Sequence, residues 1–227
     1  MKILRKIEPG TKQLLKLEED QVMVEIGDGA EVTVRESLVG NKTFVLGEGA
    51  RLNFYSNYIG EVEDKVVVEL RGDGSEVFSQ MVFFGDEGAQ EMSIVHKHVG
   101  RNTKSRMIAK GAVTGRAHSH MVGTIRMEPG SSGADGTLEE HNLLLGDDAQ
   151  INAEPNLEIS HHKVKASHSA TMERVDDEKL FYLTSRGLPK KEAQHLIVEG
   201  FFWDVLQNIG NEEQAQQLLQ QILTSLK

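Results

Sequence analysis

A nine-residue phrase recurs in this chain at a fixed interval. Ile26-Gly27-Asp28-Gly29-Ala30-Glu31-Val32-Thr33-Val34 is answered 20 positions later by Leu46-Gly47-Glu48-Gly49-Ala50-Arg51-Leu52-Asn53-Phe54, class for class except at Glu31 and Arg51. Weaker echoes begin at Gly72, Gly85 and Leu145. Each copy joins a short β-prone run to a Gly/Asp turn, and proline is rare, so the turns fall to glycine and aspartate. A repeat of roughly 20 to 25 residues built this way is the mark of a β-solenoid. One coil cannot bury its inner face alone; stacking on a neighbour buries it and pairs its backbone along the axis. The runs Val22–Ile26, Val32–Val34, Lys65–Leu70 and Gly123–Met127 read as strands of such coils. An antiparallel sandwich or barrel with regularly spaced glycine turns is the competing reading of the same pattern.

The pattern changes near residue 175. Asp176 or Asp177 can cap a helix that Gly187 ends, and Pro189 suits the first turn of a second helix. In that second helix Ala193, Leu196, Ile197, Gly200, Phe201 and Val205 fall on one stripe, and Phe202, Trp203 and Leu206 widen the apolar surface. Gly210-Asn211 breaks it. A third helix from Glu212 to Leu226 carries Ala215, Leu218, Leu219, Ile222, Leu223 and Leu226 at helical spacing. The expected organisation is a β-rich core over residues 1–174, which the resemblance described below implies to be a parallel β-helix, and a small helical domain over 175–227.

Composition removes several function classes. With 25 basic against 35 acidic residues, a net charge of -10, the chain lacks the basic footprint of a nucleic-acid binder. There is no cysteine, hence no disulfide, thiolate nucleophile or thiolate ligand from this chain. No apolar run approaches the roughly 18 residues of a membrane span, and the first residues lack a signal-peptide core, so a cytoplasmic location is expected. Gly111 and Gly115 are not followed by Gly-Lys-Ser/Thr, so ATP hydrolysis is not expected. Ser167 and His168 are adjacent, which on a strand sends them to opposite faces and rules out a serine–histidine catalytic pair. His96/His98 and His118/His120 are spaced two apart, so on strands each pair shares a face and offers two nitrogens to a metal, with no third ligand nearby. Glu139-Glu140-His141 reads as a surface turn.

Several segments resemble one family. They are Asn142–Ala149, Pro155–Ile159, Val164–Thr171 (with Ala166-Ser167-His168-Ser169-Ala170-Thr171 at its centre), Leu180–Pro189 and Ile197–Phe201. Together they are similar to the core domain of SufB and SufD, scaffold subunits of the SUF iron–sulfur cluster assembly system, collinear from about residue 90 to 206. The resemblance implies a right-handed parallel β-helix followed by helices. It implies dimerisation through the β-helix, as a homodimer or with a SufB-like paralogue, and binding of a SufC-like ABC ATPase through the helices. Phe181, Tyr182, Arg186, Glu199, Phe202 and Trp203 are then the ATPase-docking candidates. His168 matches a histidine retained across the family. Ala149 and Ala166 stand where SufB-type and SufD-type members carry cysteines, and Ser167 and Ser169 replace the glutamates that flank the SufB-type histidine, so the site is closer to SufD. The metal or cluster-assembly candidates are His168, Glu158, His161 and His162, a set without thiolate that suits Fe(II) or Zn better than a lasting cluster; a transient iron or Fe–S cluster at the dimer seam is the cofactor the resemblance allows. A polysaccharide-acting β-helix enzyme and a solenoid interaction module without metal chemistry are the alternatives.

Overall fold

The computed structural model describes residues 3–175, 177–210 and 212–226. Fourteen strands come first. In chain order they are β1 (Ile3–Ile7), β2 (Lys12–Leu15), β3 (Gln21–Ile26), β4 (Glu31–Glu36), β5 (Asn41–Leu46), β6 (Arg51–Ile59), β7 (Val62–Leu70), β8 (Glu76–Gly85), β9 (Ala89–His98), β10 (Lys104–Val113), β11 (His118–Met127), β12 (Asp135–Leu144), β13 (Gln150–Ile159) and β14 (Lys165–Arg174). Three helices follow: α1 (Asp177–Ser185), α2 (Lys190–Ile209) and α3 (Glu212–Ser225). Odd strands form one seven-stranded sheet and even strands another, with every described pairing parallel. Successive strands therefore alternate between two facing sheets, which is the expected solenoid and not the sandwich of hairpins. The repeat lengthens along the axis: Glu31 pairs with Arg51, 20 residues on, but Asp135 pairs with Lys165, 30 on. The coils start narrow and end broad, with strands of 4 to 6 residues giving way to strands of 10.

The recurring Gly-Asp-Gly phrase is one corner of each coil. Gly29, Gly49, Gly74 and Gly133 have φ between 61° and 76°, and Asn102, at φ 54°, takes the same place in one coil. Each donates its N–H to the next coil's corner: Gly29 to Glu48 O at 2.7 Å, Gly74 to Arg101 O at 2.8 Å, Asn102 to Ser132 O at 2.9 Å. Left-handed backbone is cheap for glycine and tolerable for asparagine, hence the residue choice. The first glycine of the phrase answers a different need. A Cβ on Gly72 would lie 2.0 Å from the Glu48 nitrogen, so the coils could not approach. The aspartates also brace the stack: Asp28 Oδ1 accepts the Glu48 N–H and Asp73 Oδ1 the Arg101 N–H, each at 2.8 Å.

Strand alternation buries one face. Val22, Val24, Phe44, Phe54, Val66, Val68, Phe83 and Leu138 fill the space between the sheets. Some interior positions are polar. Lys42, wholly buried, forms a close ion pair with Asp64 and another at 3.2 Å with Glu36, and the Tyr58 hydroxyl donates to Asp64 at 2.6 Å. Burial pushes Glu36 up to about 7, against the pull of Lys42. The two ends of the stack differ. At the first coil Arg5 and Gln13 lie on the inner face, in register with Val24 and Val32. Arg5 is tied to both Glu19 oxygens at 2.6 Å. At the last coil, β13 and β14 are the outermost strands of their sheets, and Leu157 and Ala166 are only partly buried.

The helices pack on the outer face of the even sheet. Val82, Phe84, Ala112 and Leu143 meet Val198, Phe202, Val205, Leu206 and Ile209 of α2, with Leu218 and Ile222 of α3 behind. The Gln80 amide donates to Val205 O at 2.7 Å, and Lys110 pairs with Asp204 at 2.7 Å while lying over the Phe201 ring. The expected stripe on α2 is rotated. Val198, Phe202 and Ile209 are buried, Leu196 is exposed and Phe201 only half-buried. Apolar residues nearly surround this helix, so the sheet beneath decided which face went in. On α3 the expected stripe holds, with Leu218, Ile222 and Leu226 buried. Asp176, one candidate cap of α1, and Asn211, half of the break before α3, lie outside the described residues. No helix among the described residues is long and apolar enough to cross a membrane.

Candidate functional site

The last coil carries the four metal or cluster-assembly candidates, but spreads them over three surfaces. His168 is on β14 in register with Leu138, a core residue, so it lies on the inner face of the even sheet. It is exposed there because no coil stacks beyond it. Its neighbour Ser167 turns outward, and its hydroxyl donates to Thr137 Oγ1 at 3.4 Å, as the strand reading requires. Glu158 is on the outer face of β13 in register with Arg126; a close hydrogen bond from that guanidinium holds its carboxyl below the usual range. His161 and His162 occupy the corner between β13 and β14 with their rings stacked, centroids 5.1 Å apart, and His161 Nδ1 accepts the Lys163 N–H. The fold therefore does not converge these four within one chain. Among the described residues, no group of three or more His, Cys, Asp or Glu side chains is placed to hold a metal ion.

The paired histidines further back are structural. His96 and His98 are fully buried on the inner face of β9. Ser79 Oγ lies 2.8 Å from His96 Nε2, and Thr103 and Ser105 hydroxyls lie 2.8 Å from the two nitrogens of His98. Burial lowers His96 to about 3, with His98 adding a little, and lowers His98 to about 4, so both rings stay neutral at ordinary pH. His120 sits on the outer face of the odd sheet between Glu91, 3.0 Å from Nδ1, and Glu154, 3.2 Å from Nε2.

Glu139-Glu140-His141 is not a surface turn. All three lie in the middle of β12. Glu139 faces out and pairs with Arg106 at 3.1 Å, and His141 faces out toward the Thr171 hydroxyl at 3.1 Å. Glu140 faces in and is buried, with neither carboxylate oxygen hydrogen-bonded, and burial pushes it up to about 7. The sequence did hold a signal for this. Leu138 inward on a strand forces Glu140 and Asn142 inward too; the acidic doublet concealed it.

The docking candidates divide by exposure. Phe181 is 73% exposed on α1, Tyr182 is exposed with Arg186 stacked 5.2 Å from its ring centre, and Trp203 is 55% exposed beside the groove between α2 and α3. Glu199 is half-buried. Phe202 is fully buried against the even sheet, edge-on to Phe201. Its position holds α2 to the solenoid and offers no outward contact.

Comparison with known proteins agrees with this architecture. The family model described as the SUF system FeS cluster assembly SufBD core domain matches residues 36–201. An iron–sulfur cluster assembly SufBD family protein of Mycobacterium tuberculosis is 34% identical over 160 residues, covering 66% of this chain and 40% of that protein. The iron–sulfur cluster assembly protein SufD of Bacillus subtilis is 31% identical over 169 residues, 74% of this chain and 39% of its own length. The SufD of Escherichia coli is 36% identical over 118 residues, covering 52% and 28%. The matched region spans less than half the length of each of these relatives.

Proposed function

This chain belongs to the SufBD family of SUF iron–sulfur cluster assembly proteins, and from that premise we propose that it is a non-catalytic scaffold subunit. In this reading it pairs through the broad end of its solenoid and engages a SufC-like ABC ATPase through its helices. The observation that carries the pairing is the contrast between the two ends. The narrow end has short strands and an inward Arg5–Glu19 ion pair, devices that discourage edge pairing. The broad end has two outermost strands of 10 residues, with Leu157 and Ala166 half-covered. A second solenoid, identical or a cysteine-bearing paralogue, can continue both sheets there. His168 would then lie within the seam, as a ligand for iron or a nascent cluster carried as cargo; His161 and His162 border it at the corner.

For the ATPase, the exposed aromatics of α1 and α2 support docking: Phe181, Tyr182 and Trp203, with Arg186 and Glu199 as polar contacts. Aromatic and arginine anchors carry most of the energy in protein interfaces. The test is co-purification of the full chain with the ABC ATPase of its own system. Phe181→Ala and Trp203→Ala are expected to weaken capture at least tenfold while leaving the melting temperature nearly unchanged. Undiminished capture by the double variant would remove the docking assignment, and no capture by the unaltered chain would remove the scaffold reading. Sizing the chain alone and with a candidate paralogue separates the homodimer from the heterodimer.

A further inference from the structure

Glu140 is a buried acid with nothing to neutralise it. It is 1% exposed on the inner face of β12, and neither carboxylate oxygen has a hydrogen-bond partner. Asp64, buried in the same interior, has Lys42, the Tyr58 hydroxyl and the Gly40 N–H. Glu140 has none of these. Its register neighbours are Ala109 on β10 and Ala170 on β14, and across the interior a Cβ on Gly123 would sit 2.7 Å from its Oε1. Among the described inward-facing residues of β10, β11, β13 and β14, two titrate or carry charge. They are His168, two residues before Ala170, and Arg174, at the end of β14 and paired with Asp147 at 3.5 Å. Burial is what raises the Glu140 carboxyl to about 7.

Toward the open end its cover is a single strand held on one side. β14 is the outermost strand of the even sheet. Lys165 donates its N–H to Ala134 O at 2.9 Å and Val175 to Leu144 O at 3.2 Å, so the odd-numbered residues between them turn their N–H groups toward β12. The even-numbered ones, Ala170 among them, turn theirs to the open edge, and Ala170 is itself exposed. On the other side of Glu140, β10 is held by both β8 and β12. Water therefore reaches the carboxyl at least cost by lifting β14. A protonated carboxyl tolerates burial far better than a carboxylate does. We propose that Glu140 is a proton-operated latch for the last strand of the solenoid. With its proton it lets β14 close over it; on losing the proton it favours a form in which β14 lifts and water reaches it. On the pairing reading above, on which this consequence alone rests, the same proton sets how far the broad end is shaped to receive a second solenoid.

The test is amide hydrogen exchange of the full chain, followed by NMR between about pH 5 and about pH 8 and corrected for the intrinsic pH dependence of exchange. The Ser167, Ser169, Thr171 and Glu173 amides, which face β12, report the latch. In the wild type they are expected to lose protection roughly thirty- to a hundredfold across that range, and to stay at least tenfold less protected than the amides of β7 and β8, the mark of a local opening. Glu140→Gln is nearly isosteric and Glu140→Met is apolar and of similar length. Both should hold the four amides at one level of protection throughout, and either one that folds serves as the comparison. His168→Ala should keep the wild-type dependence. Wild-type protection that does not vary with pH would overturn the proposal. So would a fall that persists in the Glu140 variants, a fall lost in His168→Ala, or protection equal to that of β7 and β8 at every pH, which would mean that β14 opens only when the whole chain unfolds. Exchange reads the latch in the chain alone; co-purification with the ATPase decides the scaffold reading separately.

Discussion

Replacing Glu140 with glutamine gives a stability difference whose pH dependence can be worked out beforehand. Burial raises this carboxyl in the folded chain to about 7, from 4.5 when unfolded. Between those values the folded state holds a proton that the unfolded state has released, so stability falls as pH rises from about 4.5 to about 7. A tenfold difference in proton affinity between the two states is worth about 1.36 kcal/mol. The wild type therefore loses roughly 2–3 kcal/mol on going from about pH 5 to about pH 8 through this group alone. The glutamine variant loses none of it. Glu36, raised in the same direction, and His96 and His98, lowered so that they favour the fold as pH rises from about 4 to 6.5, are present in both proteins and cancel in the comparison. For a chain of this size the difference is a melting-temperature gain of roughly 5–10 °C for the variant at about pH 8, most of it gone at about pH 5. Differential scanning calorimetry across that range is the assay. A gain that does not vary with pH, or a loss at the alkaline end, would refute the claim that Glu140 is an unpaired buried acid.

Three further outcomes follow from the packing. Lys42→Met leaves Asp64 and Glu36 buried without their cation and should cost about 3–5 kcal/mol in denaturant unfolding, whereas replacing all three charged residues together with apolar ones should cost far less. Phe202→Ala should cost about 3–5 kcal/mol and expose α2 to limited proteolysis, because this ring fills the contact between helix and sheet. Gly74→Ala meets no atom within 4 Å, yet φ of 68° should make it destabilising by about 1–2 kcal/mol, while Asn102→Gly at the equivalent corner should be neutral or stabilising; thermal melts of the pair separate backbone strain from crowding.

The solenoid was legible because its rule is local. Gly27, Gly29, Gly47 and Gly49 each answer a demand set by the adjoining coil, and that demand repeats, so it leaves a periodic trace. The trace weakens toward the broad end, where Asn102 takes a glycine's place and the interval stretches to 30 residues. The helix face of α2 was not legible. Phe201, Phe202 and Trp203 are apolar on three sides, and only Val82, Phe84 and Leu143, distant in sequence, select Phe202 for burial. At the open end His168 could be singled out from its resemblance, but the buried carboxylate of the preceding coil could not. Glu140 looks like half of a solvated acidic pair until the inward phase of β12 is fixed by Leu138. Glu158 looked available and is held on the far surface by Arg126, a partner set by cross-strand register.

The Arg5–Glu19 plug bears on how large any assembly can grow. A stack of parallel coils with two receptive ends has no reason to stop adding units and lengthens into a filament. If the scaffold reading holds, an end blunted by an inward charge pair would leave the broad end as the favoured place for pairing, and the meeting of two broad ends would limit further growth.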